Sequence, residues 1–449
     1  MSSVSHSYRY PHPSFVATQD KPRLVLATSA TAETPAPNFF EGQLRSPRIV
    51  ADMLTAVHLT VGARFFVPPN SVARAAALAD PVVTAGGGVL RFEGFSSCCS
   101  TYIRADLLPE AYDGQVVGKG TTNIDFNAPM RAALAGIRDA SGLALSVGPD
   151  ALTLRSGIAE VTERKVELPT RWIRGMVEVQ SYQAAMQKRF EVSALEALRF
   201  LRTLPKASTS RTPLWIASGP RGLYTTTRPV DGGVRVTDTR RLRVLQALLP
   251  QALTLAVHAD DTQQTSAWVV DFGTARLTLA LSAEVWRGFS GEGQALRALL
   301  DAGTRGAPLL ARVRSALQWQ ARLDPQLLAD ELALCPSQVA DALRVLGASG
   351  LAGFDVTEGL YFHRVLPLDL SAVADMHPRL VDAQALMDEG AVTVLKREPF
   401  EATVRSGDLL HRVRDKDGEL HCTCPWFAAH HGLRGPCKHV LAAEGSRIP

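Results

Sequence analysis

Near its carboxyl end the chain reads Cys422-Thr-Cys424, and twelve residues later Cys437-Lys-His439. Three thiols and an imidazole this close together make up the donor set of a closed tetrahedral zinc site. A Cys-x-Cys pair on extended chain turns both sulfurs to one side, because side chains alternate across a strand. Two residues apart on a helix would face opposite ways, and His439-Val-Leu-Ala-Ala-Glu444 reads as helix. Cys437 is therefore expected in the Gly435-Pro436 turn, just ahead of that helix. There the helix N-terminus favours thiolate. His421, His430 and His431 are the neighbouring imidazoles. His421 should face away on its strand, and the other two fall mid-loop, so His439 is preferred. Trp426, Phe427 and Leu433 are expected to cap the ion. No Glu lies in the loop to serve as a general base beside an open coordination position, so the site reads as structural.

The remaining bulk properties are those of an ordinary globular chain. It has 449 residues, 46% hydrophobic and 20% charged, with a formal charge of +4. That length allows several domains at roughly 100–200 residues each. The charge is too small to argue for nucleic acid or membrane. No apolar run reaches the ~18 residues of a membrane span. Six cysteines in so long a chain form no disulfide framework, and the N-terminus lacks a secretory pattern. Both features point to a reducing, cytoplasmic setting.

The expected class is α+β and multidomain. Residues 1–38, rich in Ser, Pro, Thr and Ala, read as a loosely ordered arm. Residues 39–119 read as an α+β region. It has a helix opened by Pro47 and an extended run, Val89 to Phe95, after three glycines. Residues 120–317 read as repeated strand-helix-strand units. The first runs through Ile124–Phe126, a helix at 129–139, and strands at 143–147 and 151–154. The second runs through 190–192, a helix at 194–204, and strands at 214–217 and 223–226. A looser third has a strand at 234–236, a helix at 240–249, and strands at 253–257, 267–272 and 277–281.

Residues 318–370 read as a winged-helix-like segment. One helix is capped by Asp324 and a second by Ser337. A hairpin turns at Thr357-Glu358-Gly359. Between 321 and 370 three basic residues face seven acidic ones, which favours a structural or partner-binding role over DNA. Residues 388–449 hold three short strands and a turn at Asp415-Lys416-Asp417-Gly418 leading into Cys422.

The spacing Cys422-x-Cys424-x12-Cys437-x-His439, with Pro425 after the second cysteine and Lys438 inside the last pair, resembles the SWIM zinc finger. Asn38-Phe-Phe-Glu-Gly42, Asp80-Pro-Val-Val-Thr84, Phe95-Ser-Ser-Cys-Cys99 and Gly120-Thr-Thr-Asn-Ile-Asp-Phe126 extend a softer resemblance to bacterial SWIM finger proteins. The resemblance implies Zn2+ held by Cys422, Cys424, Cys437 and His439, with a role in protein or DNA contact. Relatives of this kind tend to be encoded beside MoxR-type AAA ATPases and von Willebrand A-domain proteins, which implies such partners. The reading favoured here is a zinc-binding adaptor. The alternative is nucleic-acid binding through Arg412, Arg414, Lys416 and Lys438 on and near the basic hairpin.

Other motifs carry less. Gly114 to Thr121 resembles a phosphate loop, but its spacing is wrong and no helix follows, so a hairpin is expected. Cys98-Cys99 reads as a buried structural pair. No His-Glu-x-x-His, Gly-x-Ser-x-Gly or dinucleotide glycine motif is present, and no enzymatic activity is expected.

Overall fold

The structure is a computed structural model. It describes residues 3–17, 22–30, 37–67, 80–138, 142–148, 162–205, 213–262, 264–291, 293–304, 307–366 and 377–447. Helices and several sheets alternate in a multidomain α+β architecture.

At the centre lies an eight-stranded antiparallel sheet. Its order is Gln187–Ser193, Thr254–Asp260, Thr265–Asp271, Ala275–Leu281, Thr101–Leu107, Val89–Phe95, Val82–Gly86 and Gly120–Asn123. In the two strands Val89–Phe95 and Thr101–Leu107 every residue is buried. Register sorts their side chains by face. Phe92 pairs with Ala105 and Gly94 with Ile103 on the side that takes helix Pro47–Gly62. Arg91 pairs with Asp106 and Glu93 with Arg104 on the other side. This second face would pass for a solvent face in sequence, yet it is covered.

The cover is the winged-helix segment. Asp324 caps helix Pro325–Leu332 by accepting from the Gln326 and Leu327 amides. The second helix is Pro336–Ala348, with Cys335 rather than Ser337 at its N-cap. Pro336 suits the first helical turn because it has no amide hydrogen to leave unpaired. Strands Ala352–Asp355 and Leu360–His363 form the expected hairpin. The unit starts earlier than residue 318. Val313 and Ala316, at the end of helix Ala307–Ser315, share a small core with Leu323, Leu328 and Leu343. The hairpin is plugged into the central sheet. Arg364 meets Glu93 at 2.5 Å, with both side chains fully buried. Arg104 reaches Asp355, and the Arg91 guanidinium lies 4.1 Å over the Phe362 ring. The second helix is buried along residues 345–348 and exposed over most of residues 335–341.

Several expectations need correction. Within 1–38, the described segments 3–17 and 22–30 are not a loose arm. Arg23–Leu26 is a strand of a five-stranded sheet, paired in parallel with Leu143–Val147, and Leu24, Val25 and Leu26 are buried. Ser3–Tyr10 pairs antiparallel with Thr162–Pro169. Their partners lie more than a hundred residues away, so local composition carried no sign of them. The break at 119/120 is not a domain boundary, because the central sheet draws strands from both sides of it.

The second unit occurs locally, whereas the first lacks its strand at 124–126, where Ile124 makes only an isolated bridge to Thr28, and the strands of the units enter different sheets. Leu143–Val147 joins the five-stranded sheet, and Leu214–Gly219, Gly222–Thr226 and Val234–Val236 form a three-stranded one. Residues 151–154 lie outside the described residues. The third helix is a 3-10 segment, Thr239–Ala247. Gly114 to Thr121 is not a hairpin either. Tyr112–Val116 and Gly120–Asn123 belong to different sheets, and the segment crosses between them. Cys99 is buried. The Cys98 sulfur lies 3.2 Å from Ser100 Oγ and 3.5 Å from Ser96 Oγ. Burial raises the Cys98 pKa, but these hydrogen bonds outweigh it and hold the thiol below its usual value.

The C-terminal module is built on an antiparallel sheet of Val392–Lys396, Glu401–Ser406, Leu409–Lys416 and Glu419–Cys422. It begins before residue 388, because helix Pro378–Asp388 packs on helix Lys438–Gly445. The turn between the last two strands falls at Asp417 and Gly418, both at positive φ (54° and 87°). Such a pair matches the twist of a two-residue hairpin.

Candidate metal centre

Four short signals bring the ligands together. Cys422 ends the last strand, paired with Val413 on the inward face of the sheet. Cys424 is the N-cap of helix Pro425–His430, a six-residue helix too short for its periodicity to show in sequence. Its sulfur accepts from the Phe427 amide at 3.3 Å. Cys437 is the N-cap of helix Lys438–Gly445, and its sulfur accepts from the Val440 amide at 3.4 Å. His439 lies in the first turn of that helix. The expected turn ahead of it is present, with Gly435 at φ 75°. A side chain at Gly435 would collide with the Gly293 carbonyl, so glycine lets the finger seat against the body. Both helix-capping sulfurs occupy positions where amide hydrogens and the helix dipole favour thiolate.

All four ligand residues are buried, and their donor atoms lie within 4.8 Å of one another. Cys422 Sγ is 3.8 Å from His439 Nδ1. Tetrahedral bonds of ~2.3 Å place ligand atoms ~3.8 Å apart, so an ion fits with little movement. The thiols themselves call for one. Cys437 is held down to about 4, chiefly by the hydrogen bond from Cys422. Cys422 is pushed far up by donating that bond and by burial, and burial also raises Cys424. One negative charge is thus comfortable here without a cation, and three are not. A divalent soft-ligand cation such as zinc removes that conflict.

The other histidines stand apart from the ligand cluster. His421 packs edge-on to Phe427, with centroids 5.3 Å apart, and His430 edge-on to Trp426 at 4.8 Å. His431 is exposed at a helix end. Of the expected cap, Phe427 is buried and Trp426 half-buried. Leu433 is 47% exposed and takes no part. One residue escaped the sequence reading. His411, on the inward face of Leu409–Lys416, packs at a tilt against His439. Only the strand register, in which Val404 faces His411, places it there.

The expected basic residues divide into two groups. Lys438 pairs with Asp382 at 3.3 Å beside the metal site. It helps line a cavity of about 270 Å3 with Arg379, His411 and Trp426. Arg412, Arg414 and Lys416 lie on the opposite, open face of the sheet. Arg412 and Arg414 both bond Glu401 there.

A closed Cys3His set held by two helix N-termini and a strand end defines a structural zinc finger. Residues 407–448 match the family model of the SWIM zinc finger, and all four ligands fall inside the match. The chain therefore carries a SWIM zinc finger at its C-terminus. No curated protein matches this chain. Helix Pro378–Asp388 and strand Val392–Lys396 lie outside the matched span and extend the finger toward the body.

Proposed function

We propose that the protein is a non-enzymatic adaptor whose zinc finger presents a fixed surface to protein partners. The observation that carries this is closure of the site. Four protein ligands are buried together, and among the described residues no carboxylate joins them. Such a centre supplies shape rather than chemistry. The finger is also fastened to the body. Arg297, on helix Ala295–Thr304, pairs with Glu444, and the Gly293 carbonyl seats against Gly435. A surface held this way is presented without a large ordering cost. None of the six cysteines is in a disulfide, which suits a reducing cytoplasm. Among the described residues no helix is long and apolar enough to cross a membrane.

The resemblance to bacterial SWIM finger proteins suggests a MoxR-type ATPase or a von Willebrand A-domain protein as the partner. The test is co-purification from the native source, followed by the same capture with Cys437→Ser. A defined partner retained by the native chain and lost by the variant supports the adaptor. Equal capture by both, or capture of nothing, rejects it.

A second reading is nucleic-acid binding. Arg412, Arg414 and Lys416 sharing one open face favours it. Affinity for an oligonucleotide that falls steeply with salt would support it, and no affinity at low salt would dismiss it.

A further inference from the structure

The four-stranded sheet of the finger has one face on the metal and one in solvent. Register assigns each side chain. Ala402, Val404, His411, Val413 and Cys422 point inward. Their neighbours in sequence point outward, and Lys396 pairs with Glu401 on that outer side. The outer face thus collects Lys396, Arg405, Arg412, Arg414 and Lys416, against two carboxylates, Glu401 and Glu419. Arg405, Arg412, Arg414 and Lys416 are all exposed. Glu401 accepts from both Arg412 and Arg414, so two guanidiniums share one carboxylate and an excess of positive charge is left.

At the end of this face, paired with Arg405 next to the Gly407-Asp408 turn, stands Leu410, 67% exposed; Leu409 falls by register on the metal side. Leu410 gives the basic field an apolar end. The one aromatic ring at an outward position of the sheet is His421, which is paired with Arg414 and packs edge-on to Phe427. Guanidiniums pair well with carboxylates, as Glu401 already shows within the chain.

We infer that this face docks an extended, acidic protein segment, with carboxylates at alternate positions over Arg405, Arg412 and Arg414 and an aliphatic anchor against Leu410. Carboxylates two residues apart on a strand are ~6.6 Å apart, the same step that separates Arg412 from Arg414. The inference rests on the adaptor reading and specifies the surface and the chemistry of the partner.

The test uses the full chain loaded with zinc. The probe is a fluorescent peptide with Glu at alternate positions and two leucines at one end. A control peptide has those leucines replaced by serine, and a single-stranded and a duplex oligonucleotide are run beside it. Anisotropy at low salt should show the leucine peptide binding about tenfold tighter than the control and tighter than either oligonucleotide. The triple variant R405Q/R412Q/R414Q should weaken it by about tenfold or more. L410S should bring it down to the control. Zinc content and elution volume check that the variants remain folded.

Tighter binding of an oligonucleotide, no peptide binding, or unchanged affinity in the triple variant overturns the assignment. The adaptor reading is judged separately. A native partner still captured by the triple variant removes this face and leaves the adaptor standing.

Discussion

The rings of His411 and His439 pack against each other at a tilt, with centroids 4.3 Å apart and an angle of 39° between their planes. His411 sits on a strand and His439 on a helix. The contact therefore fixes the ligand ring from the side opposite its own backbone. Groups that orient a metal-bound imidazole typically contribute 10–100-fold in affinity. His411→Ala should keep the fold and weaken zinc binding by about tenfold, read by competition with a chromophoric chelator. Unchanged affinity would mean that helix Lys438–Gly445 alone sets the ring.

Cys437 is both a ligand and the cap of that helix. Its replacement by serine removes a thiolate and leaves Cys422 and Cys424 without a charge-balanced centre. Structural zinc can contribute ~10–16 kcal/mol to small modules. The variant should lose its metal and expose residues 377–447 to protease, while the central sheet persists as a resistant fragment. Metal analysis and limited proteolysis read the two effects. A protease-resistant, metal-free C-terminus would contradict the structural role of the ion.

Glu93 and Arg364 join the winged-helix hairpin to the central sheet, 271 positions apart in sequence. Tyr102 donates to the same Glu93 oxygen, and Arg364 also reaches the Ala352 carbonyl. Removing one partner of a buried pair strands the other charge, at a cost of about 3–5 kcal/mol. Glu93→Ala should lower the urea midpoint accordingly. Replacing both residues with apolar ones should recover much of the loss, which a double-mutant cycle would measure.

His363 makes stability depend on pH. Its Nδ1 accepts from the Trp319 amide at 2.8 Å, and the two rings stack 4.5 Å apart. A proton on Nδ1 would oppose that donor. Burial lowers the His363 pKa to about 4. Between that value and the unfolded value near 6.5, the unfolded chain binds the proton and the folded one does not. Stability is complete above about pH 6.5 and falls as the pH drops toward about 4. The urea midpoint at pH 5 should lie below that at pH 7, and His363→Asn should flatten the difference. Histidine 377, lowered to about 3 by burial with Arg174 and Arg379 nearby, acts in the same direction and will leave a residual slope.

The metal ligands were legible because they are local. Cys422 and Cys424 lie two positions apart, as do Cys437 and His439, and the caps at Cys437 and Asp324 depend on a single turn of chain. The strands at 214–219, 234–236 and 392–396, and the helix at 194–203, followed from alternation or helical spacing for the same reason. Helix Pro425–His430 was missed, although Pro425 after a capping residue is a fair sign of a helix start.

What the sequence alone could not decide is which face of an alternating strand would be covered. Arg91, Glu93, Arg104 and Asp106 look like a solvent face, and a hairpin more than 200 residues away buries them. Arg405, Arg412 and Arg414 look no different, and they stay in water. Local pattern encodes the period of a strand and the donors of a metal site. Burial depends on which distant segments fold back onto the strand, and only the assembled chain determines that.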